Sequence, residues 1–213
     1  VAFADLNLTV ANVTLARGSR TLAEGVSFAA RGGELTLLAG PNGTGKTTLL
    51  RAIAGLTPVQ AGRIELSLGG AAAEAVGPAC HWLGHLDGVR RMDTVLAQTQ
   101  FWARFWGARA DVAQSALVRV GLAALAPLPA RALSAGQRRR LALARLLIAP
   151  RPVWLLDEPT GGLDVGGREL LGALMAEHLS AGGAIIAASH EPLPLSARRT
   201  LRFAALDSAR VSP

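Results

Sequence analysis

An α/β fold is what the 213-residue sequence predicts, and two kinds of segment predict it. Three short apolar runs, ELTLLAG (34–40), VWLLDEP (153–159) and IIAAS (185–189), read as buried strands. TTLLRAIAGL (47–56) and the residues after Ser134 carry apolar side chains at helical spacing. Strands and helices that alternate in this way pack as a layered α/β domain. Half of the residues are apolar, enough for a sizeable core in a chain of one-domain length.

The first strand and helix enclose the sharpest local signal. Gly40-Pro41-Asn42-Gly43-Thr44-Gly45-Lys46-Thr47 matches G-x-x-x-x-G-K-[ST], in the strand–loop–helix setting the pattern requires. Glycines there let backbone N–H groups converge on phosphate oxygens, and the helix N-terminus adds its dipole. Lys46 is the only lysine among 22 Lys+Arg positions; arginine fills the rest. Shape explains the exception. A cation that reaches between the β- and γ-phosphates inside a narrow loop must be a compact charge on a thin stem, and the broad guanidinium fork does not fit. Thr47 follows as the expected Mg²⁺ ligand.

The strand at 153–159 ends in two carboxylates, about 110 residues after that loop. Asp157 is placed to hold Mg²⁺ through water, and Glu158 to polarise an attacking water. Just upstream, LSAGQRRRLALARLLIA (133–149) reads as a helix with Ser134 as its N-cap, which points a second helix N-terminus at an anion. His190, in ASHEP (188–192), follows the strand IIAAS at its carboxyl end, where open α/β sheets place ligands.

Composition narrows the field further. The longest apolar runs fall well short of the roughly 20 residues that span a bilayer, and no basic-then-apolar leader opens the sequence. A soluble protein is expected, with some apolar surface for a partner to cover. The formal charge of +7 invites a nucleic-acid reading, but the arginines are scattered, with one cluster at Arg138, Arg139 and Arg140. Arginine-rich, lysine-poor composition accounts for that charge. Cys80 is alone, so no internal disulfide forms.

Taken together, these motifs resemble the ATP-binding subunit of ABC transporters, in order and spacing, over nearly the whole sequence. GPNGTGKT resembles its Walker A loop, LSAGQ its signature, LLDEP its Walker B strand, GGLD its D-loop and His190 its switch histidine. The resemblance implies a P-loop NTPase of the ABC ATPase type as one domain over 1–213: a parallel-sheet core (34–58 and 153–205), an antiparallel β lobe (1–33 and 59–68) and a helical lobe (about 86–150). It implies ATP with Mg²⁺, catalytic roles for Lys46, Glu158 and His190, and nucleotide contacts that extend to Thr48. It also implies a head-to-tail homodimer that sandwiches ATP. One subunit's loop is closed by the other's Ser134, Gly136 and Gln137, with Asp164 at the seam.

Three positions depart from the family pattern. Ala135 replaces the usual glycine of the signature and is small enough to preserve closure. The family often stacks an aromatic of the first hairpin on adenine; the sequence contains no tyrosine, and in NVTLARGSR (12–20) that place falls on Arg17. Its guanidinium stacks on the base or is a solvated hairpin arginine. Counting ten back from Val95 puts His85 where glutamine is usual, either as its functional replacement or as a polar residue in a linker.

The W-x-G-H segment, FWARFWG (101–107), LSAGQRRR and the short C-terminus resemble one branch, the ATP-binding subunit of the bacterial cytochrome c maturation system, or haem exporter. This implies a peripheral ATPase at the cytoplasmic face of the inner membrane. Its partners would be integral-membrane transporter subunits, with haem contact indirect. Its work would be haem movement or release of a haem-loaded periplasmic chaperone. The alternatives are the motor of another ABC transporter, or a soluble ABC ATPase acting on nucleic acid. The second usually carries paired modules or a long coiled-coil insertion, which are lacking here, and no nucleic-acid partner is expected.

Three further features complete the reading. Phe101, Trp102, Phe105 and Trp106 form a helical stripe, either lobe core or a groove for a helix of the membrane partner, with room for one column of each. Cys80, His81 and His85 suggest haem or metal, but the first cysteine of C-x-x-C-H is missing. His178, on a helix rich in Ala and Leu, is expected at the surface.

Overall fold

The structure is a computed structural model and describes residues 2–204. Residue 1 of the expected β lobe, residue 205 of the expected core and the C-terminus beyond it lie outside the described residues. Among the described residues fourteen strands and α-helices follow one another in two sheets and a helical region.

The first sheet is antiparallel. Strands β1 (Asn7–Arg17), β2 (Arg20–Arg31), β4 (Ala61–Leu68) and the short β5 (Ala71–Ala72) pair in the order β2-β1-β4-β5. Along β1 the buried residues are Leu8, Val10, Val13 and Leu15. The alternation slips between Val10 and Val13, where the register shifts and Asn12 takes a positive φ of 50°. This bulge keeps both halves of the long strand facing the same core. The pair Ala71–Ala72 extends the sheet beyond the expected strands.

The second sheet is parallel throughout. It contains β3 (Leu35–Ala39), β6 (Cys80–Leu83), β7 (Val153–Asp157), β8 (Ala184–Ala188) and β9 (Arg199–Arg202) in the order β6-β7-β8-β3-β9. Every residue of β7 and β8 is buried, as expected for central parallel strands covered on both faces. Alternate side chains serve two cores. Val153 and Leu155 pack with Leu49, Ile53 and the antiparallel sheet, whereas Trp154 and Leu156 pack with the helical region. Helix α1 (Lys46–Ile53) lies on the first face, and it ends three residues short of the expected 56.

The second face is covered by α2 (Val95–Phe105), α3 (Ala110–Arg119), α4 (Ala135–Ala144) and α5 (Val165–Ser180). Thr94 caps α2 by accepting from the Ala97 N–H at 3.1 Å. The helix expected over 133–149 is α4 followed by a 3₁₀ turn at Arg145–Leu147. Within α2 the aromatic stripe divides. Trp102 and Trp106 pack on the core and stack on each other at 5.0 Å, while Phe101 and Phe105 remain exposed.

His178 corrects the surface expectation. Its ring is buried in the last turn of α5, nearly parallel to Trp154 at 4.1 Å. The helix meets the sheet at that tryptophan, so His178 is covered while its neighbours Glu177 and Ser180 stay exposed. Burial pushes the imidazole down to about 4, so it is neutral at ordinary pH.

Candidate active site

Four neighbouring strands deliver the site residues to one edge of the parallel sheet. The loop 40–45 follows β3, Glu158 follows Asp157 at the end of β7, His190 lies two residues beyond β8, and His85 lies two residues beyond β6. Parallel strands present their carboxyl ends together, so side chains far apart in sequence share one rim. The β6 contribution explains why His85 reaches the site: it leaves a core strand beside Glu158's own strand. The cleft has a volume of about 650 Å³ and is bounded by Arg17, Lys46, Thr47, Asp157, Glu158 and His190, with His85 at one side.

The loop is built around its glycines and its lysine. Gly40 has φ 138°, and a Cβ there would sit 2.2 Å from the Phe203 carbonyl oxygen on β9's continuation. Gly45, at φ 101°, is the N-cap of α1 and lets the chain turn into the helix without a side chain at that point. Thr44 is buried, its hydroxyl donating to the Pro41 carbonyl at 2.9 Å, so it braces the loop from inside. Lys46 is 6% exposed, and its Nζ donates to the carbonyls of Gly40 and Pro41, each at 2.7 Å. Asn42, Gly43 and Thr48 line the cleft beside it.

Across the cleft, the Thr47 hydroxyl lies 3.0 and 3.1 Å from the two oxygens of Asp157. Burial pushes the Asp157 carboxyl above the usual carboxylate range, with the Thr47 bond opposing and the Glu158 charge adding to the rise. A desolvated carboxylate beside a hydroxyl is a hard oxygen pair short of positive charge. That donor set fits Mg²⁺.

Glu158 leaves the strand with φ 48°, an uncommon conformation for a residue with a Cβ. Its Oε2 meets His190 Nδ1 at 2.9 Å and accepts from the His190 backbone N–H at 3.3 Å. The Glu158 hydrogen bond and charge hold the His190 imidazole above its ordinary value.

The signature segment lies elsewhere on the molecule. Ser134 caps α4 in a full capping box with Gln137: its Oγ accepts from the Gln137 N–H at 3.2 Å, and Gln137 Oε1 accepts from the Ser134 N–H at 2.9 Å. Ser134, Gly136, Gln137 and Asp164 line a second cleft of about 310 Å³, which includes none of the phosphate-loop residues. Asp164 caps α5 through the Gly167 N–H at 2.7 Å and pairs with Arg140 at 2.7 Å.

Sequence reasoning missed several neighbours. Arg51 lines the nucleotide-sized cleft one turn after Thr47, and the i, i+4 spacing on α1 was the available signal. Arg139 is buried against the end of β7, with Asp87 as its ion-pair partner at 3.0 Å. Cys80 and His81 have partners of their own. The Cys80 thiol, pushed up to about 12 by burial, points at the Val76 carbonyl, and His81 Nε2 meets the Ala149 carbonyl at 2.7 Å. Among the described residues no group of three or more His, Cys, Asp or Glu is disposed to hold a metal ion.

Comparison with known proteins accords with this geometry. The ABC transporter family profile matches residues 23–161. The chain is 47% identical over 200 residues to the cytochrome c biogenesis ATP-binding export protein CcmA of Chelativorans sp. (strain BNC1), covering 94% of this chain and 99% of that one. It is 50% identical over 182 residues to the protein of the same name from Rhodopseudomonas palustris (strain BisB5), covering 85% and 90%. Among solved structures, an ATP-binding subunit of an ABC transporter superposes with a TM-score of 0.76 at 22% identity, covering 86% of this chain and 79% of the other. At that identity the likeness speaks for the fold.

Proposed function

The chain belongs to the ABC transporter family, and from that premise we propose that it is the ATP-hydrolysing subunit of a membrane complex in cytochrome c maturation. The observation that carries the ATPase reading is the meeting of Lys46, Thr47, Asp157, Glu158 and His190 in one cleft. The export branch is supported by identity of 40–50% along nearly the full length of proteins named for cytochrome c biogenesis.

The residues divide the chemistry among them. Loop N–H groups and Lys46 bind the phosphates, once Lys46 gives up the Gly40 and Pro41 carbonyls. Thr47 and Asp157 would hold Mg²⁺, which neutralises charge on the phosphate oxygens when bound. Glu158 orients the attacking water and takes up its proton. His190, steered by Glu158 through Nδ1, presents its other nitrogen to the γ-phosphate. His85 and Arg17 line the same cleft; His85 would take the place of the glutamine that couples the site to a partner, and the Arg17 guanidinium would stack on the base.

The separation of the two clefts supports the head-to-tail homodimer. Ser134, Gly136, Gln137 and Asp164 do not reach the loop of their own chain, so they would close over the ATP of a second copy. Among the described residues no helix is long and apolar enough to cross a membrane. Attachment at the cytoplasmic face of the inner membrane would then come from integral subunits. The exposed faces of Phe101 and Phe105, beside the half-buried tryptophan column, supply an apolar surface for one of them. Haem contact in such a complex is indirect.

Purification from native membranes tests the reading. The chain should carry integral-membrane subunits required for cytochrome c maturation, and the complex should hydrolyse ATP. Co-purification with an unrelated permease would reject the branch, and absence of turnover would reject the ATPase.

A further inference from the structure

Arg139 has an environment unlike that of the other arginines around the site. It lies on the signature helix α4 and is 3% exposed. Its Nη2 donates to the Glu158 carbonyl at 2.6 Å and the Asp157 carbonyl at 3.2 Å. Its Nη1 donates to the Gly84 carbonyl and to Asp87 Oδ1, both at 3.0 Å, and Nε reaches the Pro159 carbonyl at 3.4 Å. One guanidinium thus holds three successive carbonyls at the end of β7 and the residue before His85. Asp87 balances its charge, as a buried cation requires.

The consequence falls on Glu158. A positive φ in a residue with a Cβ persists only where its surroundings over-determine it. Three bonds do so here. The Glu158 N–H donates to the Ala188 carbonyl at 2.8 Å, and its carbonyl accepts from Arg139 at 2.6 Å and, at a longer 3.2 Å, from the Gly161 N–H. With both peptide groups pinned, the side chain leaves toward His190 and the cleft. Without Arg139 the carbonyl keeps only the longer Gly161 bond, which lets the chain relax toward negative φ and swings the carboxylate away.

We propose that Arg139 is a positioning residue for hydrolysis: it holds the Glu158 backbone in the conformation that aims the carboxylate at the reacting water. The role rests on the ATPase reading above. It acts through Glu158 and touches no substrate. Lysine cannot replace it, because three donors on one nitrogen do not span carbonyls that arginine reaches with separate nitrogens.

The test is a double-mutant cycle between Arg139→Lys and Glu158→Gln in the assembled complex. ATP affinity is measured by equilibrium binding and hydrolysis by single turnover, normalised to ATP-binding sites so that unfolded protein does not count. Arg139→Gln is carried in parallel as a second variant. Arg139→Lys should lower the hydrolysis rate at least about tenfold while ATP affinity stays within about threefold. In the Glu158→Gln background it should lower the rate no further, because the group it positions is already gone. The same proportional loss in both backgrounds, or no loss in either, overturns the positioning role and leaves the ATPase assignment standing. A parent complex that binds ATP without turnover overturns both.

Discussion

Lys46→Arg separates charge from shape in the phosphate loop. The Lys46 ammonium is 6% exposed and sits 2.7 Å from two carbonyl oxygens of the loop it closes. A guanidinium keeps the charge but needs more width than that nest supplies. Overfilling a packed site costs about 1–3 kcal/mol. Once Lys46 turns from those carbonyls to the phosphates, each charged hydrogen bond it makes there is worth about 1.5–3 kcal/mol, and a guanidinium too wide for the loop forfeits at least one. A loss of about 3 kcal/mol in the bound state is therefore expected, which weakens ATP binding about 100-fold. Titration calorimetry with ATP and Mg²⁺ measures this directly. Arg51→Lys, an exposed change in the same cleft, serves as the control and should shift affinity less than about threefold. If charge alone mattered, Lys46→Arg would bind like the parent while Lys46→Ala would not. Near-normal affinity and turnover in Lys46→Arg would refute the shape argument.

Three other outcomes are expected. Glu158→Gln should bind ATP but hydrolyse it about 10²–10⁴-fold more slowly, and accumulate a dimer on size exclusion with ATP and Mg²⁺; a fully active monomer would remove Glu158 from catalysis. The His190 imidazole, raised by its hydrogen bond to Glu158, should titrate above the ordinary value of about 6.5 by NMR. The sign follows from linkage. Stability from this pair is fully present below the unfolded value and is lost as pH rises through the raised folded one, so an unchanged midpoint in Glu158→Gln would rule the pair out. Phe101→Ser with Phe105→Ser should leave urea stability within about 1 kcal/mol yet release the protein from its membrane complex, whereas Trp102→Ala should cost about 2–4 kcal/mol; the reverse pattern would place the interface elsewhere.

Chemistry that is local in the chain was legible in the sequence. The phosphate loop announces itself because its glycines, lysine and threonine must be consecutive. The strands at 35–39, 153–157 and 184–188 were legible because burial on both faces leaves continuous apolar runs. Chemistry set by packing was not. Arg138, Arg139 and Arg140 look alike in a row, but a helix turns each about 100° from the last. The first donates to the Leu133 carbonyl, the second enters the core and the third pairs with Asp164. His178 looked solvent-facing because only the fold brings Trp154 against it. The edge strand Cys80–Leu83 is four residues long, too brief to show a period, although it is what carries His85 to the rim.

The lone lysine also makes the loop chemically addressable. Among these 213 residues one side chain carries a primary amine, and it stands at the phosphate site. An acylating or reductive-methylation reagent therefore has a single side-chain target, shielded by 94% burial and two carbonyls until the loop opens. The rate of labelling becomes a clock for that opening, and a bound triphosphate should slow it further. Digestion specific for lysine would cut the chain once, after the residue that closes the loop, so one peptide bond reports on the occupancy of the site.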